Sequence, residues 1–259
     1  MATTWIFDLD NTLHDAESKI FPLVNTKMNE YISSYLDISI EDASKLRQSY
    51  WDTYGATLKG LIKHHNIDPV DFLSTTHDLK NFNDLVMPEV NLKETISNIK
   101  GRKIIYTNAP KSYTDRILKI SNIYEMFDEV FTIEDSDFTP KPNQGSMANF
   151  LKKYNIKEGV FIDDIKENLK TAKNYGLSTI WITNEITHHN KHHKNLIPSS
   201  FDNLNSFEND DMVGAIKVNK NSCSVFLSLP KDKQVGTPDI PMLAGDMHRP
   251  CIDLNSVNN

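Results

Sequence analysis

Five short apolar runs, separated by longer amphipathic segments, constrain the fold of this chain most strongly. Each run is rich in β-branched or aromatic residues, and the intervening segments repeat apolar residues at helical spacing, as in YTDRILKISNIYEMF. Strands that alternate with helices form βαβ units around a buried parallel sheet. We therefore expect an α/β fold with a Rossmann-like parallel sheet and helices on both faces. The predicted strands are WIF (5–7), KIIYT (103–107), EVFTI (129–133), GVFID (159–163) and STIWIT (178–183).

The segment between the first two runs, residues 15–84, contains no convincing strand. Its apolar residues recur at helical spacing, and Asp68-Pro69 resembles an N-cap followed by proline at the first helical position. We expect residues 15–84 to form an all-helical cap and residues 1–14 and 85–207 to form a discontinuous core. Ligands of parallel sheets bind at the carboxyl ends of the strands, so a cap inserted there can close a site.

Residues 208–259 have a different composition. This segment contains four of the 11 prolines, no periodic helix and one possible strand, CSVFLSL (223–229). Such a composition favours an irregular or disordered tail.

Composition and charge limit the classes of partner. The formal net charge of −7 argues against a nucleic-acid polymer or a membrane surface, since neither attracts an acidic protein that lacks a basic patch. No apolar run approaches the roughly 20 residues that span a bilayer, and MATTWIFDLD lacks the basic region of a signal peptide. We expect a soluble, cytoplasmic protein whose partner is a small molecule. Two cysteines, Cys223 and Cys251, exclude a disulfide framework and a multi-cysteine zinc site.

The first predicted strand ends in two aspartates, Asp8 and Asp10. Side chains two residues apart on a strand point to the same face, so these like charges repel each other. Either a cation neutralises them or they lie in water at the rim of the sheet. The ends of the other strands distinguish these alternatives.

Polar residues also follow the next three strands. Thr107 and Asn108 end the second, Lys141 stands in TPKP after the third, and Asp163-Asp164 ends the fourth. Carboxylates, a hydroxyl and a lysine at one sheet edge suit Mg²⁺ together with a phosphoryl group, and the ion offsets the repulsion between aspartates.

Phosphoryl transfer requires an in-line nucleophile, neutralisation of charge and a proton for the leaving oxygen. One carboxylate can act as nucleophile through an aspartyl-phosphate, and a second can protonate the leaving alcohol. Thr107 and Lys141 can hold phosphoryl oxygens, and Lys141 can pair with the nucleophile.

The motifs DLDNT, TNA, TPKPN and IDD, in this order and spacing, resemble the four motifs of the haloacid dehalogenase-like (HAD) hydrolase superfamily. The resemblance implies that Asp8 is the nucleophile and Asp10 the general acid/base. It implies that Thr107, Asn108 and Lys141 bind the phosphoryl group.

The same resemblance implies a Mg²⁺ site formed by Asp8, the Asp10 carbonyl, Asp163 and Asp164. Within the last pair, we expect Asp164 to be the direct ligand and Asp163 to act through water. Thr12 is expected to orient the loop that follows the first strand.

WIFDLDNTLHDA, YGATLKGLIKHHNIDPVDFL and GRKIIYTNAP are similar to the pyrimidine 5′-nucleotidase branch of the superfamily, which carries a helical cap between its first two motifs. The resemblance covers about residues 4–184. It implies a Mg²⁺-dependent phosphomonoesterase that hydrolyses nucleoside 5′-monophosphates, pyrimidine preferred, through an aspartyl-phosphate. The alternatives are a phosphatase of another small metabolite, such as a sugar phosphate or phosphoglycolate, and a phosphomutase. A dehalogenase needs no acid two residues after its nucleophile, so Asp10 argues against that activity.

Two sets of residues, one in the predicted cap and one in a histidine-rich stretch, could serve either binding or structure. In the predicted cap, Tyr54, His64, His65 and His77 either contact a nucleobase or pack between helices. In THHNKHHK (187–194), the histidines either bind a transition metal from one face of a helix or belong to a solvated loop; they are His188, His189, His192 and His193.

Overall fold

The computed structural model describes residues 3–89, 91–182, 214–219 and 222–227. The chain divides after Gly159 into two compact units. In the first unit three parallel strands pair in the order β3-β2-β1. Their bounds are β1 (Thr4–Phe7), β2 (Arg102–Tyr106) and β3 (Glu129–Phe131).

The segment between β1 and β2 begins with five helices: α1 (Ile20–Leu36), α2 (Ile40–Tyr54), α3 (Thr57–His65), α4 (Pro69–Thr76) and α5 (Phe82–Leu85). Ser39 caps α2 by accepting a hydrogen bond from Asp42 N–H, and Gly55 ends that helix with a positive φ. Asp68 caps α4 ahead of Pro69, as the sequence predicts.

These helices bury an apolar cluster between them, which one residue from outside the helical segment joins. Its members include Ile133, from the segment after β3, and the helical-segment residues Ile32, Ala43, Leu58, Leu61, Ile67, Phe72 and Leu73. The two ends of the helical segment lie side by side, since Asp15 N–H donates to Met87 O at 3.0 Å and Glu89 N–H donates to Leu13 O at 3.3 Å. The adjacent ends support the proposal that residues 15–84 are an inserted cap, and Ile133 shows that this cap also packs on the segment after β3.

The first unit is completed by helices around the strands. They are α6 (Leu92–Asn98), α7 (Lys111–Ile120) and α8 (Gln144–Lys153), with short 3₁₀ turns at Tyr124–Met126 and Glu134–Ser136. The ring of Tyr106 stacks on Phe150 at 4.4 Å between centroids, and its hydroxyl lies 2.7 Å from Ser146 Oγ. This packing holds the carboxyl end of β2, which leads directly to Thr107.

The second unit contains four strands and one helix among its described residues. The strand β4 is buried at all four positions and pairs parallel with β5, which pairs parallel with β6. The strands β6 and β7 pair antiparallel. The elements are β4 (Val160–Asp163), α9 (Lys166–Asn174), β5 (Ser178–Ile182), β6 (Gly214–Asn219) and β7 (Ser222–Leu227).

Each of the five predicted strands has a counterpart in the structure, and the α/β class with parallel strands is confirmed. The strand β7 lies where the sequence offers one possible strand, CSVFLSL (223–229), whereas β6 corrects the expectation of an irregular segment at 214–219. Composition averaged over 208–259 conceals the short apolar stretch AIKV (215–218) that forms β6. The histidine run at 187–194, Cys251 and the rest of 208–259 lie outside the described residues. No helix in the described part of the chain is long and apolar enough to cross a membrane.

Gly101 lies where β2 begins next to β1. Its φ is +110°, and a Cβ at this position would lie 2.2 Å from Thr3 O. We expect Gly101→Ala to lower the free energy of unfolding by about 2–3 kcal/mol, because the methyl group clashes with the Thr3 backbone and the φ is strained for alanine.

Gly176→Ala is a matched control: its φ is +80°, and among the described residues nothing lies within 4 Å of a Cβ there. The control should lose only about 1 kcal/mol. Urea unfolding measures both changes, and equal losses would contradict the steric argument.

Candidate active site

The carboxylate of Asp8 is buried directly after β1 and paired with a buried lysine. Its Oδ1 accepts a hydrogen bond from Lys141 Nζ at 2.7 Å, and the two residues are 7% and 3% exposed. Lys141 Nζ also donates to Tyr106 O at 2.8 Å. A buried charge is tolerated when it is paired and hydrogen-bonded. The pair therefore places a fixed positive charge against the predicted nucleophile.

The side chain of Asn108 orients Lys141 by bonding to the backbone of that lysine. The Asn108 amide accepts from Lys141 N–H at 2.7 Å and donates to Lys141 O at 3.2 Å. Thr107 is buried, and its Oγ1 accepts from Ala109 N–H at 3.0 Å, which leaves the hydroxyl hydrogen for another acceptor. Thr107 thus keeps a donor that suits a phosphoryl oxygen, whereas the Asn108 side chain supports Lys141.

Two side chains bind Asp10, the predicted general acid/base. Tyr113 donates its hydroxyl hydrogen to Asp10 Oδ1 at 2.6 Å, and His14 Nε2 lies 2.8 Å from the same oxygen. His14 is fully buried in the loop after β1, and Tyr113 lies on α7. Burial, followed by the charge of Asp10, raises the pKa of Tyr113 well above its usual value, so the phenol remains a donor.

The loop after β1 folds tightly around Asn11, whose φ is +58°. Asn11 Oδ1 accepts from Ala16 N–H at 3.2 Å and from Glu17 N–H at 3.0 Å. Asparagine tolerates this left-handed conformation and bonds nearby backbone. Thr12 is buried, and its Oγ1 has no hydrogen-bond partner among the residues that the structure describes. The Asn11 side chain therefore accepts two hydrogen bonds that hold this loop, and a role of Thr12 in orienting it stays a prediction.

In the second unit the carboxyl end of β4 carries Asp163 and Asp164. Asp163 is fully buried, and its carboxylate accepts from Ile165 N–H at 2.8 Å and from Asn168 Nδ2 at 2.9 and 3.0 Å. Asp164 is half-buried, and its backbone carbonyl accepts from Trp181 Nε1 at 2.9 Å. Asp163 is therefore held in one orientation and Asp164 is the more accessible of the two, while their roles as indirect and direct metal ligand stay predictions.

The cap residues singled out in the sequence lie in two groups. Tyr54 bonds His64 at 2.6 Å between Oη and Nε2, and Tyr50 bonds His65 at 2.7 Å, so both pairs join α2 to α3. The turn that follows Tyr54 approaches Pro142, the residue after Lys141. A Cβ at Gly55 would lie 3.9 Å from Pro142 Cδ.

The last of these cap residues, His77, stands apart from that cluster. Its ring packs edge-on against Tyr113 with centroids 5.5 Å apart. Burial lowers the pKa of His77, so its imidazole is neutral at neutral pH.

A family model described as haloacid dehalogenase-like hydrolase matches residues 5–182. The chain belongs to this family. The match spans β1 to β5, and with it Asp8, Asp10, Thr107, Lys141 and the Asp163-Asp164 pair, so the family resemblance seen in the motifs is confirmed.

Relatives of this HAD-like chain include a yeast protein and solved structures. Phosphate metabolism protein 8 of Saccharomyces cerevisiae is 26% identical over 196 residues, covering 68% of this chain and 60% of the yeast protein. This chain therefore spans less than two thirds of that relative. A HAD phosphatase from Thermococcus onnurineus superposes with a TM-score of 0.52 at 19% identity, covering 71% of this chain and 87% of the other, which shows a shared fold. L-2-haloacid dehalogenase from Xanthobacter autotrophicus gives a TM-score of 0.46 at 14% identity, covering 72% and 80%.

Sequence reasoning missed His14 and Tyr113 as partners of Asp10. His14 stands four residues after Asp10, so a turn could have suggested the contact. Tyr113 is separated from Asp10 by 103 residues and carries no motif, so no signal in a single sequence marks it.

Proposed function

We propose that this HAD-like hydrolase is a phosphomonoesterase that uses an aspartyl-phosphate intermediate. The observation that carries the proposal is the buried Asp8–Lys141 pair, with Asp10 two residues further on. A carboxylate held against a fixed ammonium can attack phosphorus while the lysine offsets charge on the phosphoryl oxygens. A haloacid has no need of the adjacent acid, so Asp10 favours an ester whose alcohol must be protonated.

In the proposed reaction Asp8 attacks phosphorus in line with the departing ester oxygen. Asp10 gives its proton to that oxygen, and the alcohol leaves. Asp10 then takes a proton from the water that attacks the aspartyl-phosphate, which releases inorganic phosphate and restores Asp8. The Thr107 hydroxyl and Lys141 bind the phosphoryl oxygens in both steps, and Asn108 keeps Lys141 in place.

A divalent cation is part of the proposal. Asp8, the Asp10 carbonyl, Asp163 and Asp164 would hold Mg²⁺, and this all-oxygen donor set is the kind that Mg²⁺ prefers. The three hydrogen bonds to Asp163 fit a fixed anion at this position, and the partial exposure of Asp164 leaves it accessible to an ion. When bound, the ion would neutralise the phosphoryl group and the nucleophile.

The metal proposal predicts the effect of Asp164→Asn. In the wild type, chelation should stop phosphate release and added Mg²⁺ should restore it. The Asp164→Asn variant should need at least about tenfold more Mg²⁺ than the wild type for half-maximal activity, because it loses a charged ligand. The control is Glu158→Gln, which removes an exposed carboxylate six residues before Asp164 in the sequence. It should leave the Mg²⁺ dependence unchanged. Titrating Mg²⁺ into the chelated enzymes measures both. An unchanged requirement in Asp164→Asn would remove this residue from the metal site.

For the substrate we propose nucleoside 5′-monophosphates, with pyrimidine bases preferred. The inserted helical segment supports this, because a cap can read the part of the substrate that the phosphate site does not. The turn at Gly55 approaches Pro142, next to Lys141, and the preceding Tyr54 carries an aromatic ring suited to stacking on a base. The acidic net charge of −7 favours a small phosphomonoester over a nucleic-acid polymer or a membrane. We also propose a cytoplasmic location.

Phosphate release from a panel of esters in the presence of Mg²⁺ tests this function. The panel contains UMP, CMP, dTMP, AMP, a sugar phosphate and phosphoglycolate. Higher kcat/KM for the pyrimidine nucleotides than for all the others would support the whole proposal. Release confined to the sugar phosphate or phosphoglycolate would overturn the substrate and keep the chemistry. Absence of release from every ester by folded, Mg²⁺-loaded protein would overturn the phosphatase activity and favour a phosphomutase.

A further inference from the structure

Both hydrogen bonds that Asp10 receives from side chains end on one of its two carboxylate oxygens. The Tyr113 hydroxyl lies 2.6 Å and His14 Nε2 lies 2.8 Å from Oδ1. Within the described part of the chain no side chain bonds the other oxygen, Oδ2. The carboxyl group is therefore anchored asymmetrically, by two residues from different elements of the first unit.

The surroundings of His14 determine which of its nitrogens carries hydrogen. Asp10 Oδ1 accepts from the Tyr113 hydroxyl, and a carboxylate oxygen without a proton only accepts, so Nε2 must donate to it. The other nitrogen, Nδ1, is buried and has no hydrogen-bond partner among the described residues. A proton there would leave a buried donor unsatisfied, which costs more than leaving a bare lone pair. The two contacts thus favour the His14 tautomer that carries its hydrogen on Nε2, directed at Asp10 Oδ1.

Tyr113 is held in place from the opposite side by rings of the helical segment. The rings of His77 and Phe82 each pack edge-on against it with centroids 5.5 Å apart. The Arg116 guanidinium covers Phe82 at 3.9 Å from the ring centroid. Because edge-to-face packing fixes the orientation of the phenol ring, its hydroxyl has one direction in which to donate.

From this geometry we infer that Tyr113 and His14 are positioning residues that anchor Asp10 through Oδ1 and leave Oδ2 as the oxygen that transfers the proton. The inference rests on the proposed phosphomonoesterase activity. In the first step a bond forms between a carboxylate oxygen of Asp8 and phosphorus, the bond from phosphorus to the ester oxygen breaks, and the proton moves from Asp10 Oδ2 to that oxygen. In the second step a bond forms between the water oxygen and phosphorus, the bond from the Asp8 oxygen to phosphorus breaks, and the water gives a proton to Oδ2. Phosphate leaves, and both aspartates return to their starting states.

Leaving groups of different basicity separate this role from a structural one. An alkoxide leaving group needs the proton from Asp10, whereas p-nitrophenolate departs without it. The value of kcat/KM reports only the steps up to the first phosphoryl transfer, in which the proton is donated. Loss of positioning should therefore lower kcat/KM for an alkyl ester selectively.

The experiment compares a nucleoside 5′-monophosphate with p-nitrophenyl phosphate as substrates of Tyr113→Phe. We expect kcat/KM to fall about 10–100-fold for the nucleotide, part of the 10²–10⁴ that proton transfer contributes, and less than about threefold for the aryl ester. Tyr31→Phe is the matched control, because Tyr31 also donates to a carboxylate, that of Asp71, at 2.5 Å. It should leave the ratio of the two substrates unchanged.

Variants at His14 provide an independent measurement. His14→Gln keeps an N–H donor and should retain more nucleotide activity than His14→Leu, which keeps only apolar bulk. Equal losses on both substrates in Tyr113→Phe, or no loss on the nucleotide, would overturn the positioning role while leaving the phosphatase in place. Inactivity of the wild type on p-nitrophenyl phosphate and on every ester of the panel would overturn the phosphatase proposal and this inference with it.

Discussion

The Asp8→Asn variant is expected to lose phosphate release by roughly 10⁴-fold or more, which is the scale for removal of a nucleophile. The proposed reaction begins with attack by an ionised carboxylate, and the neutral amide of asparagine is a far poorer nucleophile. Asparagine has nearly the same shape, so the loss would be chemical and would not reflect a rearranged site. The measurement is kcat/KM for the best nucleotide of the panel, with Mg²⁺ present and the fold checked by circular dichroism.

A second aspartate that pairs with a lysine is the control for this result. Asp115 lies on α7 and pairs with Lys111 at 3.2 Å, but the Lys111 side chain is 60% exposed. Asp115→Asn should keep activity within about twofold, because an exposed ion pair contributes little. Mass spectrometry must confirm asparagine at position 8, since deamidation restores the aspartate. Activity above about one hundredth of wild type in the verified variant would exclude Asp8 as the nucleophile.

The strands could be predicted because each carries its own signal in consecutive residues. WIF, KIIY and VFID are short, mostly apolar stretches of parallel strands. A parallel strand that is buried on both faces is typically a nearly continuous apolar run in the sequence. The strand β6 could not be recognised in the same way. Its AIKV core is short, it follows β5 by a long segment, and the surrounding composition is polar and rich in proline. Its pairing with β5 and β7 is a tertiary property that local pattern does not contain.

The candidate site shows the same division between local and long-range information. Asp8 and Lys141 could be named because each stands in a motif, and the structure brings their side chains together across 133 residues. The pairing of the Asn108 amide with the backbone of Lys141 depends on how two loops meet, which no motif encodes. The Tyr54–His64 and Tyr50–His65 contacts likewise follow from the packing of α2 on α3.

The buried ion pair of Asp8 and Lys141 should appear as a coupling in a double-mutant cycle of Asp8→Asn and Lys141→Met. Lys141→Met leaves the buried carboxylate of Asp8 without its ammonium and should lower the free energy of unfolding by about 3–5 kcal/mol. The double variant removes both charges and should lose less than the sum of the single variants, by about 2–3 kcal/mol. Urea unfolding in the presence of a chelator measures the cycle, because a bound cation would compensate the charge of Asp8.

The exposed pair Lys45–Glu41 calibrates this cycle. Its atoms are also 2.7 Å apart, but the side chains are 68% and 79% exposed, compared with 2% and 10% for Lys141 and Asp8. The same distance should therefore give a coupling below about 0.5 kcal/mol, since water screens the surface pair and the ionic partners remain solvated when separated. If the buried cycle couples no more strongly than the surface cycle, Lys141 does not neutralise Asp8 in the folded protein. This result would exclude the proposal that Lys141 offsets the charge of the nucleophile Asp8. Binding of the phosphoryl oxygens would then be the remaining proposed role of Lys141.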